Sequence, residues 1–218
     1  MAQKLIKVLN IYSGIGGNRK LWSGDIQVTA VEIDPDIAKI YSDFYPDDIL
    51  IVGDAHEYLL KHYSEFDFVW SSPPCPTYST MSTALKGQGI VRYPDLKLYQ
   101  EIIFLKHFFE GRWVVENVRP YYKPLVDPYV KICRHLFWCN FNIFHKDIKD
   151  RMKGLLNSIS GEVEQYQKIL GVDLKGYQLP GQNKKRTVLR NCVLPELGKH
   201  IFDCAMGYQI KEEQGSLF

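Results

Sequence analysis

The sequence has no uninterrupted apolar run long enough to cross a bilayer. Its basic N-terminus, Met1 to Asn10, lacks the long apolar stretch and cleavage signature of a signal peptide and reads as a first strand. A membrane-bound or exported protein is therefore not expected, and a cytoplasmic one is. Charge of either sign is not in excess: 27 Lys and Arg stand against 25 Asp and Glu, a net +2. No global field advertises a polyanionic partner, so any nucleic-acid contact has to concentrate positive charge locally. The five cysteines, Cys75, Cys133, Cys139, Cys192 and Cys204, are odd in number and form no C-x-x-C pair. That disfavours a disulfide framework and a zinc site, fits a reducing cytosol and leaves no metal expected. Internal repeats and low-complexity segments are also missing.

What is present is the composition of an ordinary globular protein, 45% hydrophobic and 24% charged over 218 residues. That length suits one domain, or one domain with a small appendage, and buries a substantial core. Strand and helix patterns alternate through the first half. Lys4 to Tyr12 is apolar and β-rich and runs into Ser13-Gly14-Ile15-Gly16-Gly17. Ile26 to Val31 is a second strand, ending at Glu32-Ile33-Asp34-Pro35; Pro35 suits a first helical turn, and Ala38, Ile40 and Tyr41 form a helical stripe. Ile49 to Val52, Phe66 to Trp70 and Trp113 to Val115 read as further strands, with helices at Ala55 to Tyr63 and Pro94 to Phe109. Such alternation predicts a parallel sheet with helices on both faces. Between them, Cys75 to Tyr93 is rich in Ser, Thr and Gly and long for a loop, a mark of function or mobility. After Pro120 the pattern loosens: one or two strands or a hairpin over His135 to Phe144, a helix within Leu155 to Leu170, turns from Gly171 to Arg186, and a last helix from Pro195 to Met206.

Ligands of open α/β sheets bind beyond the carboxyl ends of the strands, and each unusual cluster falls at such an end. The Gly14 to Gly17 turn permits close backbone approach, although its spacing is not G-x-G-x-x-G. Glu32 can accept from both ribose hydroxyls. Asp54 can accept from an adenine amino group or merely cap the following helix. In order on successive strands, the three suit a nucleoside ligand. Ser72-Pro73-Pro74-Cys75 holds a thiol rigidly at a strand end, in a polar loop where a nucleophile is useful. The other four cysteines lack that context and read as packing residues. Glu116, directly after a buried strand, needs a task or a partner. Its strand is expected beside that of Cys75; the plainer alternative is pairing with Arg119 or another base.

These clusters together resemble the DNA cytosine-5 methyltransferase family. Leu9 to Gly17 looks like its first motif, with Tyr12 where phenylalanine is usual; Val31 to Pro35 looks like the second and Gly53-Asp54 like the third. Ser72-Pro73-Pro74-Cys75-Pro76, with Ser79 following, is similar to the nucleophile motif, Glu116-Asn117-Val118 to the catalytic-acid motif, and Arg190 to Leu197 to the last motif. The resemblance spans roughly residues 5 to 120 and 187 to 205. It implies a Rossmann-like α/β fold that uses S-adenosylmethionine. Tyr12, Ser13, Gly14, Ile15, Gly16, Gly17, Glu32, Ile33, Asp54 and Pro74 would meet the cofactor, with Asn191 and Val193 closing its pocket. Cys75 would attack C6 of a flipped cytosine, Glu116 would bind the N3 and N4 edge, and Pro73, Ser79 and Asn117 would lie beside the base. Three segments are expected: a catalytic domain over 1–144, a small target-recognition region over 145–186, and 187–218 returning to the catalytic domain.

Two departures qualify the resemblance. The family's Q-x-R-x-R element is reduced to Cys133-Arg134-His135, which leaves Arg134 as the candidate arginine for the cytosine, with an exposed strand-start arginine as the alternative. The region available for reading a target is short. Lys146, Lys149, Arg151, Lys153, Lys184, Lys185 and Arg186 could contact phosphates or be solvated. The resemblance implies double-stranded DNA as the partner of a monomer or weak oligomer, and the compactness suggests a short recognition site, a partner subunit, or much reliance on the Cys75 to Tyr93 loop. It also suggests a solitary enzyme, phage-borne or guarding DNA against restriction. An RNA cytosine-5 methyltransferase is the runner-up, although the Cys-Phe-Thr signature of the tRNA-acting branch is not found. An inactive regulatory subunit would be expected to lose the thiol or the acid, and both are present.

Overall fold

The fold is taken from a computed structural model, which describes residues 4–74, 96–120, 122–153, 161–181 and 183–208. Seven strands form one sheet: β1 (Ile6–Ile11), β2 (Ile26–Glu32), β3 (Ile49–Val52), β4 (Phe68–Ser71), β5 (Arg112–Val118), β6 (Val130–Ile132) and β7 (His135–Cys139). Their order is β3-β2-β1-β4-β5-β7-β6. The first five run parallel, and β7 lies antiparallel to both β5 and β6. Among the described residues the helices are α1 (Pro35–Phe44), α2 (Ala55–His62), α3 (Lys97–Phe108), α4 (Glu162–Leu170), α5 (Lys184–Asn191) and α6 (Pro195–Met206), with a 3-10 turn at Tyr63–Glu65. None of these helices is long and apolar enough to cross a membrane.

The central strands are hydrophobic on consecutive residues because both faces of the sheet are covered. Val8, Phe68, Trp70, Val114 and Phe137 pack on one face with residues of α1, α4, α5 and α6. Their chain neighbours Leu9, Val69, Val115, Leu136 and Trp138 pack on the other face with residues of α2 and α3. A side-chain period of two along each strand produces this division. The mostly parallel, helix-covered sheet is the Rossmann-like arrangement that the alternating pattern predicts.

Local chemistry fixes the element starts. Pro35 opens α1, and Asp34 caps it by accepting from the amides of Asp36 and Ile37 at 3.0 and 3.3 Å. Asp54 caps α2 through the amide of Glu57 at 2.9 Å. Among the bounds that differ from the sequence reading, two bear on the site and its wall. β5 extends through Glu116 and Asn117 to Val118, because β7 pairs with it from Val114 to Val118. The acid therefore lies within a strand rather than after it. Lys184 to Arg186, read as the end of a turn-rich stretch, begin α5.

Buried residues of segment 161–191 do not form a core of their own. Tyr166, Leu170, Leu174, Val188 and Leu189 share one cluster with Val8, Trp22 and Trp70. Residues 195–206 are just as tightly joined to the N-terminal half. Trp22 stacks on Phe202 with ring centroids 4.8 Å apart, and its indole N–H donates to the Gly198 carbonyl at 3.1 Å. A Cβ at Gly198 would sit 2.3 Å from the backbone oxygen of Asn18, where no flexible side chain can give way. Gly198→Ala is expected to lower stability by about 1–3 kcal/mol through overpacking, read as a drop in the denaturant midpoint with an unchanged slope.

Candidate active site

Parallel strands aim their carboxyl ends at the same side of the sheet, and the described residues enclose a cavity of about 660 Å³ there. This is within the usual range for small-molecule sites. Its floor comes from the residues following β1, β2 and β4 and from the end of β5; Arg134, His135 and the segment from Lys184 to Val193 complete the wall.

The β1 turn is built around Glu32. One carboxylate oxygen accepts from the amide of Gly14 at 3.0 Å and the other from the amide of Asp34 at 2.9 Å. Burial raises the Glu32 carboxyl above its ordinary value, against the opposing pull of the Asp34 and Gly14 amides. Tyr12 takes a left-handed φ of 56°, and Gly14 and Gly16 take 55° and 77°. Ser13 is buried on the cavity wall, and its Oγ has no hydrogen-bond partner among the described residues. Gly17 matters for closeness: a Cβ there would lie 2.8 Å from both the Cys192 Cβ and the Val193 carbonyl oxygen. The absent side chain lets Asn191 to Val193 fold down onto the turn, and both of these residues line the cavity.

Tyr12, Ser13, Gly14, Ile15, Gly17, Glu32, Ile33, Asn191 and Val193 are thus gathered around one space, with Pro73, Pro74, Glu116, Asn117 and Arg134. Gly16 is not on the wall; its carbonyl accepts from the Tyr45 hydroxyl at 2.7 Å behind the turn. Asp54 is not on the wall either. Its bond with the Glu57 amide, which holds its carboxyl below the ordinary range, is the helix cap. Cys75, Ser79 and the rest of the Cys75 to Tyr93 loop, with its glycines Gly87 and Gly89, lie outside the described residues.

The acid end of the cavity is a connected polar chain. Glu116 is 5% exposed. One of its oxygens accepts from the Ser72 hydroxyl at 2.8 Å, and the other lies 2.5 Å from His135 Nδ1. The Trp70 indole donates to the Ser72 Oγ at 2.8 Å, so the hydroxyl proton is free to face Glu116. Arg134 Nε donates to His135 Nε2 at 3.2 Å, so the imidazole proton belongs on Nδ1, toward Glu116. Asn117 Nδ2 donates to the Pro73 carbonyl at 2.9 Å and joins the end of β5 to the residues leading into Cys75. Glu116 is therefore not paired with Arg119; its partners are Ser72 and His135. Arg134 sits in the β6–β7 turn, and its guanidinium also donates to the carbonyls of Arg190 and Cys192. It is neither an exposed strand-start arginine nor free of partners.

Two residues in or beside this site, His135 and Glu101, escaped the sequence reading, and Lys184 entered it only as a basic residue for phosphates. His135 opens the strand that pairs with the Glu116 strand, and a histidine at that position was the available signal. Lys184 bridges from α5 to Asp34 at 2.8 Å and Asp36 at 3.3 Å, and the Asp34 contact raises its ammonium above the ordinary value. Glu101 accepts from the Tyr12 hydroxyl at 2.5 Å. An acid on the apolar stripe of Leu98, Ile102 and Leu105 marks it out. Of the seven basic residues expected at phosphates, four have partners within the chain: Lys184 as above, Lys185 the Leu174 carbonyl, Arg186 the Glu162 carboxylate and Arg151 the Glu196 carboxylate. Burial pushes the Cys139 thiol up to about 11 and the Cys192 thiol up to about 12, and it also raises Cys133 and Cys204. All four favour the inert thiol form.

The burial of Glu32 has a measurable consequence. Because its folded pKa lies above the unfolded value, the folded state holds the extra proton, and stability falls as pH rises from about 4.5 through the raised pKa. Glu32→Gln should abolish that fall, seen as a flatter plot of unfolding free energy against pH between about 4 and 7 in denaturant titrations.

Comparison with known proteins bears on the fold and the family. The chain resembles the Entamoeba histolytica methyltransferase EhMeth, with 14% identity and a TM-score of 0.55, covering 95% of this chain and 99% of that one. A SAM-dependent methyltransferase from Agrobacterium tumefaciens gives 14% identity and a TM-score of 0.42 over 56% of this chain and 41% of that one. Spodoptera frugiperda DNMT2 gives 23% identity and a TM-score of 0.38 over 52% of this chain and 35% of that one. The first likeness supports the fold; the other two are weaker and partial. No curated protein sequence matches the chain. The model of the C-5 cytosine-specific DNA methylase family matches residues 6–124, more than half of the 218, and takes in the glycine turn, Glu32, Cys75 and Glu116. The chain therefore belongs to the C-5 cytosine-specific DNA methylase family.

Proposed function

We propose that this cytosine methyltransferase takes the methyl group of S-adenosylmethionine and places it on C5 of a cytosine flipped out of double-stranded DNA, with Cys75 as covalent nucleophile and Glu116 as acid. The observation that carries the reading is the pair of bonds from Ser72 to Glu116 and from Asn117 to Pro73. They bring the acid to the rigid Pro73-Pro74 approach to Cys75, inside the cavity that also holds Tyr12 and Glu32.

The residues present fit the cofactor. Glu32 offers a buried carboxylate suited to ribose hydroxyls, Ser13 an unpartnered buried hydroxyl, and Gly17 the close approach that closes the wall. Tyr12, Ile33 and Val193 would complete its pocket. S-adenosylmethionine supplies an electrophilic methyl group.

C5 of cytosine is a weak nucleophile, and thiolate addition at C6 divides one hard step into two. The sulfur–C6 bond forms as electron density moves onto C5, and the charge developing at N3 is met by a proton from Glu116. Ser72 and His135 hold the two Glu116 oxygens in place, and the oxygen that does not face N3 accepts from the N4 amino group. After C5 takes the methyl group, a base removes the C5 proton, that electron pair forms the C5–C6 double bond as sulfur leaves C6 as thiolate, and N3 returns its proton to Glu116, which restores aromaticity. Flipping is required because a stacked base cannot reach a group at the bottom of a cavity.

Labelled S-adenosylmethionine incubated separately with duplex DNA and RNA tests the substrate: label is expected in DNA, and label only in RNA would move the activity to the runner-up substrate. Cys75→Ala should abolish transfer, and Glu116→Gln should slow it by about 10²–10⁴-fold. Duplexes carrying 5-fluorocytosine should trap the protein covalently, because fluorine at C5 cannot leave as a proton; full activity in Cys75→Ala would overturn the mechanism.

A further inference from the structure

Glu101 is 0% exposed, yet it is the acceptor for three side chains from three different elements. The Tyr12 hydroxyl reaches one oxygen at 2.5 Å, with His56 Nδ1 at 3.1 Å from the same oxygen, and the Ser71 hydroxyl reaches the other at 2.5 Å. Tyr12 follows β1 and lines the cavity; Ser71 ends β4; His56 lies in the first turn of α2. Burying a carboxylate at a helix position that an apolar residue could fill carries a desolvation cost. Packing alone gives no reason to accept that cost. A network that fixes several groups in one geometry does.

The placement of the donors gives the network its direction. Ser71 and Ser72 are consecutive, and they bond to different acids, Ser71 to Glu101 and Ser72 to Glu116. The end of β4 is thereby held from both faces of the sheet just before Pro73-Pro74. Tyr12, with its left-handed φ of 56°, is held through its hydroxyl by the same carboxylate that holds Ser71. We propose that Glu101 is a positioning residue that locks the cofactor wall at Tyr12 to the β4 end at Ser71, so that cofactor binding and methyl transfer depend on one buried carboxylate. This rests on the proposed function, because it assigns the cofactor to the Tyr12 side of the cavity.

The test uses the full chain. Dissociation constants for S-adenosylhomocysteine are measured by calorimetry, and single-turnover methyl transfer is followed on duplex DNA. The variants are Glu101→Gln, Tyr12→Phe, Ser71→Ala and the double variant Glu101→Gln/Tyr12→Phe. Glu101→Gln is expected to weaken S-adenosylhomocysteine binding about tenfold and also to slow single-turnover transfer, with the double variant no weaker in binding than Glu101→Gln alone. Glu101→Asp, which keeps the charge on a shorter arm, should recover part of both losses; a purely structural role gives no reason for the two effects to merge in the cycle. If Glu101→Gln fails to fold, Tyr12→Phe and Ser71→Ala still decide: the first should weaken binding and the second should slow transfer. Binding and transfer within twofold of wild type in Glu101→Gln, or in both single-hydroxyl variants, overturns the assignment. So does strict additivity in the cycle. Wild-type protein that binds no S-adenosylhomocysteine overturns the assignment together with the proposed function, whereas wild-type binding with unaffected variants overturns the assignment alone.

Discussion

The hydrogen bond from Asn117 to the Pro73 carbonyl is the constraint on which the rest of the site depends. Pro73 follows a strand of only four residues and precedes a second proline, so its carbonyl has few local partners. Asn117 supplies one from the neighbouring strand at 2.9 Å. For Asn117 to be there, β5 must continue past the point where it pairs with β4, which reaches only Val115. The antiparallel pairing of β5 with β7 provides that continuation. It also delivers His135 opposite Val118, close enough for its ring to reach Glu116. One cross-strand arrangement thus sets the acid, its imidazole partner and the approach to Cys75.

The fold and half of the site were legible in the sequence for a common reason: each depends on local pattern. Pro35 after Asp34, the glycines after β1, and the paired apolar residues of β4 and β5 announce their structures within a few positions of chain. Glu32 was legible because a strand end followed by a turn is a local signal. What was not legible depends on partners far away in the chain. Asp54 carries the same residue type as Asp34 and the same relation to a helix, and only the cavity wall separates a cap from a cap beside a ligand. Glu101 looks like a misfit on an apolar stripe until Tyr12 and Ser71, 89 and 30 positions away, are seen to bond to it. Arg134 is the candidate because it stands in the shortened Q-x-R-x-R element. Its guanidinium is occupied by main-chain carbonyls of the last motif, and His135 beside it is the residue that meets the acid.

Basic residues teach a related lesson. Lys184, Lys185 and Arg186 form a run that reads as a surface for phosphates. In the fold they sit at the start of a helix, where the helix dipole makes extra positive charge unfavourable. Each is matched by an acceptor from another element, so the run fastens segment 161–191 to α1 and to itself. Charge counted along the chain therefore overstates the field this segment presents to solvent.

The stacking of Trp22 on Phe202 has a consequence for how the chain comes to be folded. Trp22 belongs to the first turn-and-strand unit, and its ring partner and its N–H acceptor are supplied by residues about 180 positions later. The Gly17 turn likewise waits for Cys192 and Val193. During synthesis from the N-terminus, all seven strands of the sheet emerge before the residues that complete their core. Contacts so distant in sequence slow folding and leave intermediates with exposed apolar surface. The part of the protein made first therefore acquires its complete core only once the part made last has joined it.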